Sequence, residues 1–428
     1  MSVYETLRIA IVGTCDTKLE DLLYLYRRML DFSNSLEKNS FSINPVLINT
    51  GRPSASCDHQ NIDISIHSLL PPTTVYSSRN DLVAMIGGAL EKYLLDLVRS
   101  GKIHGVLAIG GSCGSSIVAK ALQSLPFGFP KVLLSTMASG DIRPYIGCSD
   151  VSVIYSVVDI AGLNSLIKQA LENSVGAIVG MVKSRALTGS KLPASNFALE
   201  CRKKKKIAMT MFGVTTPACN AARAVLEKND CEVYVFHATG SGGMAMEKLI
   251  LEGAFDGVLD LTTTELADEA FGGILSAGSE RLKGAARKGI PMIISTGALD
   301  CINFGPKETV PERYKERKVY VHNSAVTLVR TNEQENRGLS GIICDRLIQN
   351  SREDKRHKIQ VWLPLRSLSM IDQNEILFKD EKANQILHES ITASLRDTGI
   401  RVVSKDLDIN DKEFAEGVAI ALLQTIAQ

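Results

Sequence analysis

The strongest constraint on this chain is a regular alternation of strand-sized apolar runs with stretches of helical period. Residues 8–12 form a short, mostly apolar run that ends at Gly13, and apolar residues at helical spacing follow from Asp16. The order recurs where residues 105–109 precede a glycine-rich turn and a helical stretch over 116–123. Strands and helices that alternate in this way form a mostly parallel sheet covered by helices on both faces. The chain is therefore predicted to be an α/β protein.

The alternation restarts near residue 206, which indicates two domains. A chain of 428 residues is also long for a single core, because domains usually hold roughly 100–200 residues. The stretch 186–204 runs into five basic residues at 202–206 and is interpreted as the connection. We predict domains at 1–195 and 196–428. The expected architecture is two Rossmann-like domains whose mostly parallel sheets face each other across a cleft.

Local signals place several element boundaries. Ser78 is a natural N-cap for a helix that ends near Gly101, and Thr216 is a natural N-cap before Pro217. Residues 52–77 are rich in proline, serine and aspartate, and a long loop is expected there.

Composition argues against several classes of protein. The formal net charge is +1, which favours neither nucleic acid nor an anionic membrane as a partner. No apolar run approaches the ~20 residues of a membrane span, and the N-terminus lacks the pattern of a signal peptide. The nine cysteines include no C-x-x-C pair and are interpreted as free thiols, so a cytoplasmic location is expected. The basic run at 202–206 is interpreted as a solvated edge.

The first candidate phosphate turn follows the first strand. Gly13 allows close approach of backbone to a ligand, and Thr14 and Thr17 add hydroxyl groups at a helix N-terminus. Lys18 can neutralise a phosphate, and Asp16 can hold a magnesium ion directly or through water. An equally consistent interpretation makes Asp16 or Thr17 a helix cap and leaves Lys18 in solvent.

The second candidate turn has three glycines and three serines in seven residues. Gly110, Gly111, Ser112 and Gly114 offer several backbone N–H groups around one anion. Cys113 within this turn is interpreted as a small filler rather than a nucleophile, since no histidine lies at a supporting local spacing.

Polar residues at other strand ends extend this prediction. Thr50 and Ser139 follow two further strands of the first half and are expected to add ligand contacts at the same edge. In the second half, Gly240, Gly242 and Gly243 belong to a loose dinucleotide-type turn and are expected to face a second small anion. This turn follows the second strand of its half instead of the first, which argues against a standard NAD fold. The Walker A and zincin motifs do not occur.

Five residues are candidates for chemistry in the expected cleft: His237, Glu265, Asp300, His322 and Arg330. Histidine and carboxylate groups supply acids and bases, and an arginine can clamp a carboxylate or phosphate with two hydrogen bonds. Structural histidines and ordinary salt bridges remain open as alternative interpretations.

Taken together, these segments resemble a family of paired Rossmann-like proteins of bacteria, fungi and plants. That family includes the N-terminal domain of the tomato protein that blocks replication of tomato mosaic virus. The resemblance rests on motifs such as GTCDTK at 13–18, AIGGSCGSS at 108–116, STMASGDIRPYIGCSD at 135–150, FHATGSGGMAME at 236–247 and LDLTTTELADE at 259–269.

The resemblance implies ATP binding with magnesium, an intracellular setting and a tendency to form homodimers. It also implies nucleotide contacts at 13–18 and 110–114. The chain departs from the family pattern at Cys113, where many relatives place a small residue. Plant and fungal relatives carry a further C-terminal barrel domain, which makes such a domain an expected partner here.

Three functions are compatible with the sequence. The leading hypothesis is a nucleotide-dependent enzyme, or enzyme subunit, that acts on an unknown small anion. The alternative is a non-catalytic regulatory or interaction module, as in the plant replication inhibitor. In such a module, nucleotide binding would set the closure of the two domains. An NAD-linked oxidoreductase using the turn at 240–245 is the third.

Overall fold

The computed structural model describes residues 5–34, 41–52, 59–71, 77–188, 204–374 and 378–428. The chain divides into two compact units, Met1–Asn196 and Phe197–Gln428, and each contains a six-stranded sheet of parallel strands. The predicted α/β class with two Rossmann-like domains is confirmed. Most of the predicted connection, residues 189–203, lies outside the described residues, as do Cys57 and Cys201.

The sheet of the first unit has the strand order of a dinucleotide-binding fold. Its strands are β1 (Glu5–Gly13), β2 (Phe41–Asn49), β3 (Ile62–Ser65), β4 (Gly105–Gly110), β5 (Lys131–Ser135) and β6 (Ser152–Tyr155). The order across the sheet is β3-β2-β1-β4-β5-β6. The chain therefore reverses direction across the sheet between β1 and β4, and ligands of such folds bind at this reversal, beyond the carboxyl ends of the strands.

Helices cover both faces of this first sheet. They are α1 (Cys15–Asn34), α2 (Arg79–Arg99), α3 (Ser112–Ser124), the short α4 (Arg143–Ile146) and α5 (Ser165–Leu187). One hydrophobic core joins α1 and α5 to one face of the sheet, and a second joins α2 and α3 to the other. Every residue of β4 and β5 is buried, because both strands lie inside the sheet with helices above and below.

The second unit has a different strand order. It contains β7 (Lys205–Met211), β8 (Cys231–His237), β9 (Gly257–Thr262), β10 (Met292–Gly297), β11 (Cys301–Phe304), β12 (Val319–Asn323), β13 (Val326–Arg330), β14 (Ile359–Pro364) and β15 (Arg401–Lys405). Six of these form the parallel sheet β15-β14-β10-β9-β7-β8. The other three form a small antiparallel sheet, β11-β13-β12. The two units thus share an architecture and differ in topology, since the reversal here lies between the first and third strands.

The helices of the second unit are α6 (Thr216–Lys228), α7 (Ser241–Leu251), α8 (Thr264–Phe271), α9 (Gly284–Lys288), α10 (Glu333–Asn350), α11 (Met370–Asn374), α12 (Glu381–Leu395) and α13 (Lys412–Ala427). Leu339, Ile343 and Leu347 of α10 belong to the larger core of this unit, and α13 packs in a second core with Trp362 of β14.

One of the predicted helix caps is confirmed, whereas the other cap and the predicted long loop are wrong. Ser78 caps α2 by accepting a hydrogen bond from the Asp81 N–H at 3.1 Å, as predicted. The prediction of a continuous loop over 52–77 is wrong, because β3 pairs with the end of β2 inside that stretch. The prediction of Thr216 as N-cap is also wrong: a 3-10 turn over Gly213–Thr215 precedes α6, and Thr215 is the cap residue.

Candidate functional site

A cavity of about 1010 Å³ lies at the carboxyl edge of the first sheet, at the reversal of strand order. Its lining comes from the carboxyl ends of five strands, β1, β2, β4, β5 and β6, and from α2 and α3. The lining residues are Thr14, Asp16, Thr17, Lys18, Thr50, Gly51, Arg52, Ser77, Ser78, Arg79, Leu82, Val83, Ile86, Gly111, Ser112, Cys113, Gly114, Ile117, Thr136, Met137, Tyr155, Val157, Val158 and Asp159.

The turn between β1 and α1 is clamped to the end of β2. The Asn49 side-chain oxygen accepts hydrogen bonds from the backbone N–H of Cys15 at 3.0 Å and of Gly51 at 2.7 Å. The Thr50 N–H donates to the Gly13 carbonyl at 2.9 Å. These bonds hold Thr14, Asp16 and Thr50 together at the cavity wall, although Asn49 itself does not line it. Sequence reasoning missed Asn49, whose role depends on pairing between β1 and β2.

The charged side chains of this turn already have partners within the unit. Arg52 donates from Nε to Asp16 Oδ2 at 3.0 Å, and the Asp16 side chain is only 5% exposed. The Lys18 ammonium donates to the Ile160 carbonyl, and the Lys18 backbone departs from helical geometry at φ −135°. Neither the predicted cap role of Asp16 nor a fully solvated Lys18 describes this arrangement.

The N-terminus of α3 faces the cavity without a capping side chain. Gly111 is the N-cap residue, so no side-chain oxygen of the cap accepts from the first-turn N–H groups of Ser112, Cys113 and Gly114. Such unsatisfied N–H groups and the helix dipole give this end a partial positive charge. The helix begins four residues earlier than predicted, so this sequence is a helix start and not a free loop.

The glycines of the two predicted phosphate turns separate into two groups. A Cβ atom on Gly110 would lie 2.6 Å from the Ser115 N atom, and one on Gly13 would lie 2.9 Å from a Leu22 methyl group. Those two glycines are required by packing, and they do not line the cavity. A Cβ on Gly111 would have only Thr136 Oγ1 nearby, at 3.7 Å, and one on Gly114 only the Ile109 carbonyl, also at 3.7 Å. Gly111 and Gly114 line the cavity, so their small size leaves room for a ligand.

Two polar atoms at the cavity wall lack a hydrogen-bond partner among the described residues. They are Thr50 Oγ1 and Asp16 Oδ1, both inaccessible to solvent. An unsatisfied buried polar group is costly, so such groups usually mark a place where water or a ligand completes the bonding. Together with the uncapped N-terminus of α3, these two atoms indicate that this wall can bind a polar ligand.

The same wall carries oxygen atoms of the kind that bind magnesium. Magnesium in nucleotide sites takes one or two carboxylates together with phosphate oxygens and water. Asp16 has one unpartnered oxygen, and the hydroxyl groups of Thr14, Thr17 and Thr50 lie on the same wall. No group of three metal-binding side chains occurs in the described part of the chain. The residues fit a magnesium ion that is held largely by a bound phosphate.

Apolar side chains form two further walls of the cavity. Leu82, Val83 and Ile86 of α2 lie on one wall together with Ile117 of α3. The other wall carries exposed residues near the ends of β5 and β6: Met137, Tyr155 and Val157 are 38%, 42% and 64% exposed. Pockets for organic ligands combine such apolar surface with a few polar groups.

In the second unit, the predicted anion turn holds an internal anion. The N–H groups of Gly240 and Gly243 donate to Glu265 Oε1 at 2.7 and 3.0 Å. The same carboxylate accepts from Arg281 Nε at 2.6 Å, and all of these groups are buried. Gly242 is required by packing, since a Cβ there would lie 1.9 Å from the His237 carbonyl. The turn thus binds a carboxylate of its own unit.

Arg281 is shared by several buried carboxylates. It pairs with Asp260 and Glu265, and Glu247 lies 3.6 Å from Nη1. Burial raises the pKa of Glu247 and of Glu265, and the attraction of Arg281 opposes this only in part. Burial also disfavours the charged form of Arg281, but the surrounding carboxylates raise its pKa well above the ordinary value. Glu265 is therefore placed as a buried structural group.

The remaining candidates for chemistry lie apart. Asp300 accepts from Ser369 Oγ at 2.6 Å and is fully buried, which raises its pKa to about 6. Arg330, which attracts Asp300, is buried and donates to Asn384 Oδ1 at 2.6 Å. His237 and His322 are exposed at the ends of β8 and β12. Within the described part of this unit, no hydrogen bond or salt bridge joins His237, Glu265 or His322 to the Asp300–Arg330 pair.

Some of the residues predicted to bind a ligand in the first unit line the cavity, and others do not. Thr14, Asp16, Thr17, Lys18 and Thr50 line the cavity, as do Gly111, Ser112, Cys113 and Gly114. Gly13, Gly110 and Ser139 do not appear in its lining. Sequence reasoning missed Arg52, Arg79 and the apolar walls. The sequence could have indicated the two arginines only by their positions, because Arg52 lies just after the end of β2 and Arg79 is the first residue of α2.

No helix in the described ranges combines the length and apolarity needed to cross a membrane. No disulfide links the cysteines of the described ranges.

The order of the first sheet and the position of its cavity define the class: a two-unit α/β protein whose first unit has a Rossmann-type sheet with a cavity at the reversal of strand order. The chain belongs to the Uncharacterised protein family (UPF0261), whose N-terminal domain matches residues 7–187 and whose C-terminal domain matches residues 204–426.

Relatives from bacteria and from a plant cover nearly the whole chain. A UPF0261 protein of Clostridium tetani is 37% identical over 97% of this chain and 98% of its own length. A UPF0261 protein of Rhizobium meliloti is 38% identical over 98% of this chain and 99% of its own length. The ToMV resistance protein Tm-1(GCR237) of Solanum lycopersicum is 36% identical over 97% of this chain, which matches 55% of that protein. Among solved structures, a UDP-N-acetylglucosamine 2-epimerase matches 68% of this chain and 79% of its own chain at 13% identity. Its TM-score of 0.21 is too low to indicate a shared fold.

Proposed function

We propose that the first unit binds ATP together with magnesium in the cavity at the carboxyl ends of β1, β2, β4 and β5. The observation that carries this proposal is the uncapped N-terminus of α3, which opens into a cavity large enough for an organic ligand. The side chains of Lys18, Arg52 and Arg79 add positive charge to the same lining. A polyphosphate suits that combination of charge and backbone donors.

Features at the end of β2 favour ATP over NAD. Dinucleotide-binding folds that take NAD use an acidic residue about 20 residues beyond the glycine turn to bind the ribose hydroxyl groups. Here β2 ends at Asn49, which is committed to the backbone of Cys15 and Gly51, and is followed by Thr50 and Arg52. The family resemblance supports adenine nucleotide as the ligand.

In this proposal the phosphates occupy the N-terminus of α3 and the turn from Thr14 to Lys18. Magnesium, when bound, neutralises phosphate charge and orients the phosphate chain. Arg52 exchanges Asp16 for a phosphate, and this frees Asp16 to contact the metal or one of its waters. Lys18 exchanges the neutral Ile160 carbonyl for a charged oxygen, because hydrogen bonds between charged groups are roughly twice as strong.

A titration calorimetry experiment on the whole chain tests the site. We expect ATP with magnesium to bind the unaltered protein and Gly111→Val to weaken that binding more than tenfold. The fold tolerates the change, because the Gly111 backbone has φ −82° and a Cβ there makes only an ordinary contact. The valine side chain instead occupies the space of the phosphate.

Gly180→Val is the matched control. Gly180 lies on the exposed side of α5 with nothing within 4 Å of an added Cβ, and it is not part of the cavity. ATP affinity is expected to stay unchanged in this variant. Equal affinity of folded Gly111→Val and Gly180→Val proteins would remove the phosphate site from α3.

We propose that this nucleotide site serves an enzyme or an enzyme subunit. Measurement of phosphate release from ATP, alone and with candidate small molecules, separates that role from a non-catalytic module. The tomato relative's name describes resistance to a virus, so a nucleotide-controlled interaction module is the competing proposal. Tight ATP binding without turnover across a broad metabolite panel would favour the module.

A further inference from the structure

The cavity of the first unit is lined by charges of both signs. Arg79 and the N-terminus of α3 place positive charge in the lining, and so does Lys18, whose ammonium donates to the Ile160 carbonyl beside the loop after β6. The loop after β6 contributes Asp159, an exposed carboxylate with no hydrogen bond or ion pair to any other described residue. Asp16, by contrast, is neutralised by Arg52. A phosphate is repelled by an unpaired carboxylate, so the Asp159 side of the lining does not suit the phosphate chain.

The residues next to Asp159 present apolar surface to the cavity. Tyr155 and Val157 are 42% and 64% exposed, and both line the cavity, so together they offer apolar surface to a ligand. Val157 also has a φ of 64°, a region that a β-branched residue rarely adopts. Such strain persists only where the surrounding structure enforces it.

The loop that carries these residues is held by the phosphate turn itself. The Lys18 ammonium donates to the Ile160 carbonyl, one residue beyond Asp159. Asp21 of α1, which is 1% exposed, is buried near the backbone of Gly162 in the same loop. These contacts place the Asp159 wall beside the turn that is proposed to bind phosphate.

From these observations we propose that the wall formed by Tyr155, Val157 and Asp159 is the subsite of a second substrate, an amine with a flat apolar body. This inference rests on the proposed ATP site, because it assigns the second ligand to the part of the same cavity that phosphate avoids. The ammonium group of the substrate pairs with Asp159, and its apolar body covers Tyr155 and Val157. The volume of about 1010 Å³ lies at the upper end of the range for single ligands, which is about 300–1,000 Å³.

The experiment uses two probes of similar shape and opposite charge, 2-phenylethylamine and 3-phenylpropionate. Each is titrated into the whole chain saturated with ATP and magnesium, and again into the protein without nucleotide. We expect the amine to bind at least tenfold more tightly than the carboxylate in both states, without displacing ATP. Asp159→Asn is expected to remove that preference.

Asp141→Asn is the matched control. Asp141 is an exposed carboxylate of the same unit that pairs with Arg143 and lies outside the cavity lining. This variant is expected to retain the full preference for the amine. Displacement of ATP by the amine, equal binding of the two probes, or failure of the amine to bind would each overturn the second subsite. Amine binding to a protein that does not bind ATP would leave the subsite intact and overturn the ATP proposal instead.

Discussion

Thr50 shows how much of the candidate site depends on one buried hydroxyl group. It is 1% exposed, its backbone N–H is bonded to Gly13, and its Oγ1 has no partner among the described residues. A hydroxyl in that position lowers stability unless a ligand completes its hydrogen bonding, since an unsatisfied buried group costs about 1–3 kcal/mol. The hydroxyl group of Thr50 is thus better explained by binding than by folding.

Replacement of Thr50 by valine is predicted to separate binding from stability. Thr50→Val removes the hydroxyl at nearly constant shape, so the free energy of unfolding should stay equal or rise by about 1 kcal/mol. ATP affinity should fall about tenfold, because a hydrogen bond to a charged group contributes about 1.5 kcal/mol. Urea unfolding and calorimetric titration measure the two quantities. Thr50→Ser keeps the hydroxyl and should retain affinity; a valine variant that binds ATP normally would exclude a role for this group.

The glycine-rich turns before α3 and α7 differ in what their backbone N–H groups contact. The turn before α3 leaves its N–H groups without a capping side chain, whereas the turn before α7 donates to Glu265. Glu265 lies on α8, 25 residues beyond Gly240 in the sequence, so no local pattern announces that it fills the turn. The turn therefore binds an anion through its backbone N–H groups, and tertiary structure determined that this anion is Glu265.

The cluster around Arg281 is predicted to be the most sensitive polar feature of the second unit. Arg281→Met leaves Asp260, Glu265 and Glu247 buried without their cation, and breaking a buried pair in this way costs about 3–5 kcal/mol. Trp362, the single tryptophan of the sequence, is 8% exposed and packs against Phe414, so its fluorescence reports unfolding of this unit.

The control for this prediction is Arg287→Met. Arg287 makes an exposed ion pair with Glu280, and such pairs contribute at most about 1 kcal/mol. Urea denaturation followed by Trp362 fluorescence should show a much larger loss for Arg281→Met than for Arg287→Met. Similar losses in the two variants would contradict the assignment of the buried cluster as a stabilising unit.

For the molecule as a whole, buried titratable groups are concentrated in the second unit and make its stability depend on pH. Burial lowers the pKa of His388 to about 4 from an ordinary value of 6.5. Between those values the unfolded chain binds more protons than the folded chain, so the contribution of His388 is present above pH 6.5 and is lost as pH falls toward 4. Burial raises the pKa of Asp268 to about 7, so its contribution is present at low pH and is lost as pH rises toward 7.

The variant His388→Leu isolates one of these opposed effects. Relative to this variant, the unaltered protein should lose about 3 kcal/mol of unfolding free energy between pH 6.5 and 4, from a difference of about 2.5 pKa units. Trp362 fluorescence during urea unfolding at several pH values measures the difference. His357→Gln, a change at an exposed histidine, should leave the curve parallel to that of the unaltered protein. A parallel curve for His388→Leu would show that the pKa of His388 is the same in the folded and unfolded states, contrary to the prediction.

The alternation of apolar runs and helical periods determined the class of fold and most of its elements by itself. Backbone hydrogen bonding and burial of one face act locally, so strands such as β5 and caps such as Ser78 can be inferred from a few neighbouring residues. The short edge strand β3 was missed because four residues, only partly buried, carry little periodic signal.

Only the tertiary structure decided what each polar residue contacts. Pairing of β1 with β2 placed Asn49 against the turn after Gly13, and the loop after β6 took Lys18 away from solvent. The same long-range packing placed Glu265 in one glycine turn and left the other open. These contacts join residues that are distant in sequence, and the free energy that selects among them comes from burial of the whole unit, which no local window of sequence contains.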